Sequence, residues 1–354
     1  MKKTKIMEKA FIILLIFVPL SLFAEYMQFP PITIFILASL AIIPLAKYIG
    51  ESTEEISART GPALGGFLNA TFGNATELII SIFALQAGLT EMVKASITGS
   101  IIGNLLLILG MALFFGGLGK DEQAFNTTAA RTSASTLFLA TAAIVMPAVF
   151  VLTSENPSDA TIETLSIAVS IIMAVLYLAS LLFSLYTHKH LYTADTAECV
   201  ARWSVKKSVA VLLASTIAVA VMSEILVSSI EPLAEILGWT ELFIGMIFVA
   251  IIGNAAEHVS AITIAIRGRM DLSLQIAIGS TTQIAMFVVP VLVFTSYFFE
   301  TPMNLIFTTF ELASIVSAVL MVKSIIEDGK SNWFEGLQLL GTYGIMVVVS
   351  FLHP

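Results

Sequence analysis

Two glutamates stand inside long apolar stretches of this sequence, each at the end of the same short motif. The motif is glycine, asparagine, two small residues and glutamate, and it occurs as Gly73-Asn74-Ala75-Thr76-Glu77 and as Gly253-Asn254-Ala255-Ala256-Glu257. The two glutamates are 257 − 77 = 180 residues apart. A carboxylate at bilayer depth costs at least about 2.5 kcal/mol on insertion scales, and such residues usually serve a function. We therefore predict that Glu77 and Glu257 bind an ion.

The residues around each glutamate supply oxygen ligands. Asn74 and Glu77 are three apart, so on a helix they share a face, and the second copy repeats this spacing. Gly73 and Gly253 are poor helix formers, so the chain can unwind there and expose backbone carbonyls to a cavity. Carboxylate, amide and carbonyl oxygens suit Ca²⁺, whereas Mg²⁺ requires a tighter octahedron and keeps its waters. Manganese, which also prefers oxygen, stays open as a second divalent cation.

The apolar segment that follows each motif adds polar side chains. Ser100 and Asn104 are four apart, and Ser280 and Gln283 are three apart, so each pair can share one helical face. These residues either complete the ion coordination and hydrogen-bond the glutamates, or only allow close helix packing. His258 points off the face of Glu257. It either tunes a proton path or is a satisfied core histidine.

Four further acids are matched at the same offset: Glu51 with Glu231, and Glu55 with Glu235. We expect Glu51 and Glu55 at the cytoplasmic surface of the membrane and Glu231 and Glu235 at the outer surface. Acidic funnels concentrate cations, so these residues are predicted to attract cations before binding. The alternative interpretation is solvated acidic helix ends. Glu224 and Glu311 also lie in apolar segments, but neither has an acidic partner at the offset and neither receives a role.

The composition is that of a membrane protein. The chain is 57% hydrophobic and 12% charged, whereas about a quarter of a soluble domain is charged. Cys199 is the only cysteine, so no intramolecular disulfide is possible. No basic patch with interleaved aromatics indicates a nucleic-acid partner. Polar, Pro and Gly punctuation divides the chain into eleven apolar segments, near 8–24, 29–50, 61–87, 91–118, 130–152, 161–186, 205–237, 240–266, 271–298, 303–323 and 336–352.

These segments predict an all-α integral membrane protein with about eleven transmembrane helices, because strand-like alternation is absent. We expect an N-terminal helix (1–28), a first five-helix repeat (29–187), a cytoplasmic linker (188–204) and a second five-helix repeat (205–354). Five crossings is an odd number, so the second repeat enters from the other side. Inverted repeats place a substrate site near the midplane and suit a transporter.

Loop charges predict the orientation. With the N-terminus in the cytoplasm, sixteen of the 17 Lys and Arg residues lie inside and only Lys94 lies outside, as the positive-inside rule requires. The prediction is a multi-pass cell-membrane protein with its C-terminus outside. The first segment follows four lysines and is short, so a signal peptide that ends near Ala24 is the alternative.

At this point the motifs resemble a known family. The run Gly61-Pro-Ala-Leu-Gly-Gly-Phe-Leu-Asn-Ala-Thr-Phe-Gly-Asn-Ala-Thr-Glu77, its counterpart Gly253-Asn-Ala-Ala-Glu-His258 and the run Ser280-Thr-Thr-Gln283 are similar to the two α-repeats of the CAX family of Ca²⁺/H⁺ antiporters. The resemblance implies the cation/Ca²⁺ exchanger fold, with Ca²⁺ held between Glu77 and Glu257 and exchanged for protons. Eukaryotic relatives carry a long acidic linker, which this sequence lacks.

The expected activity is secondary antiport by alternating access, not enzymatic catalysis, with Ca²⁺ and H⁺ as transported ions and no cofactor. Two facing carboxylates in low dielectric favour protonation when Ca²⁺ is absent, which couples the two fluxes. A Na⁺/Ca²⁺ exchanger of the same superfamily is the alternative. An intramembrane hydrolase is more distant, because Glu257-His258 lacks a second His at metal-ligand spacing. A passive cation channel would ignore a pH gradient.

Overall fold

The structure is a computed structural model that describes residues 10–60, 65, 68, 69, 71–188 and 201–353. Its helices are α1 (Ala10–Tyr26), α2 (Pro31–Thr60), α3 (Ala75–Gln86), α4 (Thr90–Gly117), α5 (Thr127–Thr153), α6 (Asp159–Thr187), α7 (Val205–Leu237), α8 (Glu241–Gly253), α9 (Ala255–Ile266), α10 (Met270–Ser296), α11 (Thr309–Ile326) and α12 (Trp333–Leu352). Two short strands, β1 (Gln123–Ala124) and β2 (Lys330–Ser331), pair antiparallel. The predicted helical membrane fold is confirmed.

Helix length and hydropathy separate clear membrane spans from shorter pieces. Within the described residues, 8 helices are long and apolar enough to cross a membrane. Helices α8 and α9 meet the same criteria only as a pair, which is bent by 61°, while α1 and α3 are shorter apolar helices. The eleven predicted segments correspond to these elements, but the number of crossings stays a prediction. Residues 1–9 and 189–200, parts of the predicted N-terminal helix and linker, lie outside the described residues.

Burial divides the apolar helices into a centre and a periphery. Helix α4 has 83% of its most apolar window buried and α10 has 67%, against 22% for α6 and for α12. All four are strongly apolar, because lipid tails and a protein core select the same side chains. Helices α4 and α10, which carry the predicted serine and amide groups, therefore form the middle of the molecule.

The repeated motif produces the same local structure twice. Helix α3 begins at Ala75 and ends at Gln86, and α9 begins at 75 + 180 = 255 and ends at 86 + 180 = 266. The residue before each helix is an asparagine with non-helical dihedrals, so the helical path is interrupted there. We call the interruption at Asn74 the first break and the one at Asn254 the second break. The turns that follow contain Gly88 (φ 82°) and Gly268 (φ 79°). Only glycine adopts this left-handed conformation at no steric cost, so both helices end at equivalent positions.

Contacts near the ends of helices join several of the connections between them. Arg59 Nη2, near the end of α2, donates to the carbonyl of Trp203 just before α7 (2.6 Å). Strands β1 and β2 pair the loop after α4 with the loop after α11. The backbone N–H of Asn126, just before α5, donates to Oδ1 of Asp271 in the first turn of α10 (2.6 Å). The topology prediction placed all of these connections on one side of the membrane, and we call that side the basic face.

Contacts at the two ends of α2 and α7 show that these helices run antiparallel. The end of α2 meets the start of α7 through Arg59 and Trp203. At the other surface, Pro31 and Ile34 line the same pocket as Ser228 and Pro232. The start of α2 therefore lies beside the end of α7, although the two helices are equivalent at the 180-residue offset.

Small residues bring α4 and α8 into backbone contact. A side-chain carbon at Gly99 would overlap the carbonyl of Met246, and one at Gly245 would lie 2.6 Å from the carbonyl of Met92. Small residues at membrane helix crossings allow this approach. The crossing sets how far α4 stands from the helix that leads to Glu257.

Candidate ion-binding site

Glu77 is buried, and both of its carboxylate oxygens are free of partners among the described residues. It is in the first turn of α3 and its residue is 6% exposed. A side-chain carbon added at Gly253 would be 2.8 Å from Glu77 Cγ and 3.3 Å from Cδ, so the carboxyl lies directly against the second motif. Neither Oε1 nor Oε2 accepts a hydrogen bond within the described part of the chain. Buried polar groups are normally satisfied, so these oxygens indicate a ligand position.

Glu257 occupies the equivalent position in the first turn of α9. It is half-buried, and its charge interacts with that of Glu77. The break between α8 and α9 bends the chain by 61°. The backbone N–H and the side-chain Nδ2 of Asn254 both donate to the carbonyl of Ala250, at 3.2 and 2.9 Å, and so tie the asparagine to the last turn of α8. The predicted unwinding at the motif is therefore present, and both carboxylates start a helix, where the helix dipole favours negative charge.

The motif asparagines contact serines of the opposite half. Asn254 Nδ2 donates to Ser100 Oγ (2.9 Å), and Ser280 Oγ donates to Asn74 Oδ1 (3.0 Å). The two contacts are equivalent, since 100 + 180 = 280 and 74 + 180 = 254. All four side chains are buried. The structure therefore brings together the predicted asparagines and serines, each pair joining the two halves.

Asn104 links the two asparagine–serine pairs to each other. Its Nδ2 donates to Asn254 Oδ1 (3.1 Å) and to Ser280 Oγ (3.2 Å). Its Oδ1 has no partner among the described residues. Asn104 stands in a π-helical stretch of α4, Gly103–Ile108, a local irregularity often found at functional sites. Ile284 takes its place at the offset, so this link exists once.

Gln283 lies beside the first motif. A side-chain carbon at Gly73 would be 3.5 Å from both the amide oxygen and the amide nitrogen of Gln283, and 2.7 Å from the carbonyl of Asn69. The π-helical stretch Ile284–Val288 begins directly after Gln283. Gln283 therefore packs against the glycine of the first motif, as Glu77 packs against the glycine of the second, although the two residues are not equivalent at the 180-residue offset.

His258 is buried in α9. Within the described residues its side chain makes no hydrogen bond to Glu77 or to Glu257. Its proposed part in a proton path stays a prediction.

Comparison with known proteins identifies the family of this chain. Residues 31–186 and 207–352 match the family described as sodium/calcium exchanger protein. The chain belongs to this family. It is 50% identical to the "Ca(2+)/H(+) antiporter ChaA" of Bacillus subtilis over 97% of this chain and 98% of that protein. It is 47% identical to the "Ca(2+)/H(+) antiporter" of Synechocystis over 98% of each.

A solved structure shares this fold closely. The structure of native YfkE superposes with a TM-score of 0.85 at 48% identity, over 97% of this chain and 99% of that one. The sodium-calcium exchanger NCX_Mj gives a TM-score of 0.55 at 18% identity, which shows a common fold only. Within the sodium/calcium exchanger family, the chain is therefore far more similar to the proteins named as Ca²⁺/H⁺ antiporters.

The acids at the end of α2 are not free carboxylates. Glu51 pairs with Lys47 Nζ at 2.7 Å. Glu55 Oε2 accepts the backbone N–H groups of Arg202 (2.7 Å) and Trp203 (2.9 Å). The contacts of Glu55 join the end of α2 to the segment before α7. Sequence spacing could not reveal them.

The matching acids on the opposite face, Glu231 and Glu235, are exposed. The charge of Glu231 interacts with that of Glu241, which also interacts with Glu91. The four acids that sequence analysis treated as equivalent are therefore in two different settings. Their attraction of cations stays a prediction, and the exposed pair fits it better.

Sequence analysis missed Glu54. This exposed side chain of α2 interacts electrostatically with Glu257, because α2 packs against α8 and α9. Glu54 is three residues after Glu51, and this spacing could have indicated that the two acids share a helix face. Glu54 has no acidic counterpart at the 180-residue offset, however, because residue 234 is alanine.

Proposed function

We propose that this chain is a secondary antiporter that exchanges Ca²⁺ for H⁺ across a membrane. The observation that carries the proposal is the carboxyl of Glu77, which is buried against Gly253 and has neither oxygen hydrogen-bonded within the described part of the chain. Glu257 supplies the second charge at the equivalent position of the other half. Relatives named as Ca²⁺/H⁺ antiporters cover nearly the whole chain at 47% and 50% identity, which supports the same activity here.

The coupling follows from the charge of the two carboxylates. When both are ionised, they repel each other in a medium of low dielectric, and that state is disfavoured. One Ca²⁺ or two protons neutralise the pair equally well. Only the neutralised pair passes through the occluded state, so Ca²⁺ crosses in one direction when protons cross in the other. A downhill proton gradient then drives Ca²⁺ out of the cell.

The remaining ligands are oxygens around the carboxylates. We assign to them the Oδ1 of Asn104, which has no partner among the described residues, and backbone carbonyls at the two motifs. Asn74, Asn254, Ser100 and Ser280 hold the breaks in place through their hydrogen bonds. A flexible cage of oxygens favours Ca²⁺ over Mg²⁺. Manganese is the second cation that such ligands accept.

We further propose two inverted five-helix repeats, 29–187 and 205–354, with the N-terminus and the basic face in the cytoplasm and the C-terminus outside. The antiparallel course of α2 and α7 supports the inversion, and the basic residues support the orientation. Cysteine labelling in a Cys199→Ser background tests the proposal. Lys120→Cys should react from the cytoplasm and Glu235→Cys from outside; reaction of both from one side contradicts the topology.

The function is tested with inside-out vesicles that contain the purified protein. We expect Ca²⁺ uptake that requires an acidic interior and continues in sodium-free buffer. The alternative is Na⁺/Ca²⁺ exchange, which needs extra oxygen ligands where this chain has Ile284. Uptake that follows a sodium gradient and ignores the pH gradient would establish that alternative. Uptake that ignores both gradients would indicate a passive channel.

A further inference from the structure

Glu311 is a buried acid that the exchange mechanism does not use. It stands in the first turn of α11 and is 1% exposed. Its Oε2 accepts hydrogen bonds of 2.8 Å from the backbone N–H and the hydroxyl of Thr308, and Thr308 Oγ1 accepts from the backbone of Glu311. This capping box fixes the start of α11. It occupies one carboxylate oxygen and leaves the other for a second partner.

The second oxygen contacts the central helix α4. Thr98 Oγ1 donates to Glu311 Oε1 at 3.3 Å, and both side chains are buried. Lys94, one turn earlier on α4, is also buried and pairs with Glu91 at 2.9 Å. The charges of Lys94 and Glu91 both interact with that of Glu311. Glu311 therefore belongs to a small group of ionisable residues that joins α11 to α4.

Three consecutive residues of α4 contact three different parts of the molecule. Thr98 contacts Glu311 of α11. Gly99 lies against the backbone of Met246 in α8, and Ser100 accepts a hydrogen bond from Asn254 at the second break. A helix is rigid over less than one turn, so a restraint on the rotation of α4 at residue 98 also fixes where residue 100 points.

We propose that Glu311, acting through Thr98, is a positioning residue for the ion site. The contact holds α4 in the rotation at which Ser100 meets Asn254, and thereby fixes the second break beside Glu77. The contact has no equivalent at the 180-residue offset, because Ile278 stands where Thr98 would recur and Arg131 stands where Glu311 would recur. This inference rests on the proposed function, since its readout is the affinity for Ca²⁺.

Reconstituted variants test the contact. Thr98→Val and Glu311→Gln should each raise the apparent KM for Ca²⁺ about five-fold, the size of effect that one hydrogen bond produces. Both should also shift the pH profile of transport, because the carboxylates are displaced. Thr98→Ser retains the hydroxyl and should keep the wild-type KM. If Thr98→Val does not fold, Thr98→Ala removes the same hydroxyl with a smaller side chain.

Glu335→Gln is the matched control. Glu335 has the same capping-box position at the start of α12, and within the described residues its hydrogen bonds join it only to Asn332. It should lower the thermal unfolding temperature as Glu311→Gln does, without changing the KM. If Thr98→Val keeps the wild-type KM and pH profile, Glu311 only caps α11 and does not position the ion site. Absence of Ca²⁺/H⁺ exchange in wild-type vesicles would instead overturn the proposed function.

Discussion

Ser280 donates a 3.0 Å hydrogen bond to the side-chain oxygen of Asn74, across 206 positions of sequence. The equivalent pair in the other direction is Asn254 and Ser100, at 2.9 Å, but there the asparagine donates. Ser280 also accepts from Asn104, whereas Ser100 accepts from Asn254 alone among the described side chains. The two halves therefore share one contact pattern and differ in how firmly each serine is held.

This difference predicts unequal effects of the two serines. Ser280→Ala removes the donor to Asn74 and one acceptor of Asn104, both buried, at a cost of about 1–3 kcal/mol for each group left unsatisfied. Ser100→Ala removes one acceptor of Asn254, which keeps its bond to Ala250. The KM for Ca²⁺ should rise more in Ser280→Ala. Equal effects in a reconstituted transport assay would contradict the asymmetric network.

The two motif glutamates should be individually essential. Glu77→Gln or Glu257→Gln removes one of the two charges that Ca²⁺ and protons share, so coupled exchange should fall by at least about 100-fold, since a buried charge compensates the cation. The matched control is Glu155→Gln, which changes an exposed acid in the loop before α6. Reconstituted Ca²⁺ flux under a pH gradient measures the effect. Substantial coupled flux in Glu77→Gln would remove Glu77 from the site.

Two glycines at equivalent positions should respond differently to the same change. A methyl group at Gly99 overlaps the backbone of Met246, whereas nothing lies within 4 Å of the position at Gly279. Gly99→Ala should destabilise the protein by about 1–3 kcal/mol, as overpacking does. Gly279→Ala should be neutral or slightly stabilising, because alanine favours helix. Thermal unfolding in detergent compares them; similar unfolding temperatures would argue against the α4–α8 crossing.

Glu55 should act as a connection between α2 and the start of α7. Glu55→Ala leaves two backbone N–H groups without their acceptor, and hydrogen bonds to a charged group contribute about 1.5–3 kcal/mol. Thermal stability should fall, while the KM for Ca²⁺ stays within about two-fold. Glu51→Gln breaks only an exposed i,i+4 pair, worth about 0.3–0.5 kcal/mol.

The same variants distinguish a connection from cation attraction. If Glu55 collects Ca²⁺, its loss should raise the KM at low ionic strength and have little effect at high salt, where exposed charges are screened. A salt-dependent KM with unchanged thermal stability in Glu55→Ala would therefore show that Glu55 attracts cations rather than connecting α2 to α7.

Much of this protein follows from sequence alone because the decisive signals are local. Glycine and asparagine at the two motifs determine the breaks, and helices α3 and α9 have the same bounds after a shift of 180 residues. Long apolar segments require helices in a bilayer, and the placement of basic residues predicts which loops share a face. Glu77 and Glu257 were predicted as binding groups because charge is costly in that setting.

Only the tertiary structure decided which residues meet across the two halves. The pairs Ser280–Asn74 and Thr98–Glu311 join residues far apart in sequence, and local spacing carries no information about such contacts. The partners of Glu55 depend on where α2 ends in space. Hydropathy could not separate the central helices α4 and α10 from peripheral α6 and α12, because lipid and protein interior favour the same apolar side chains.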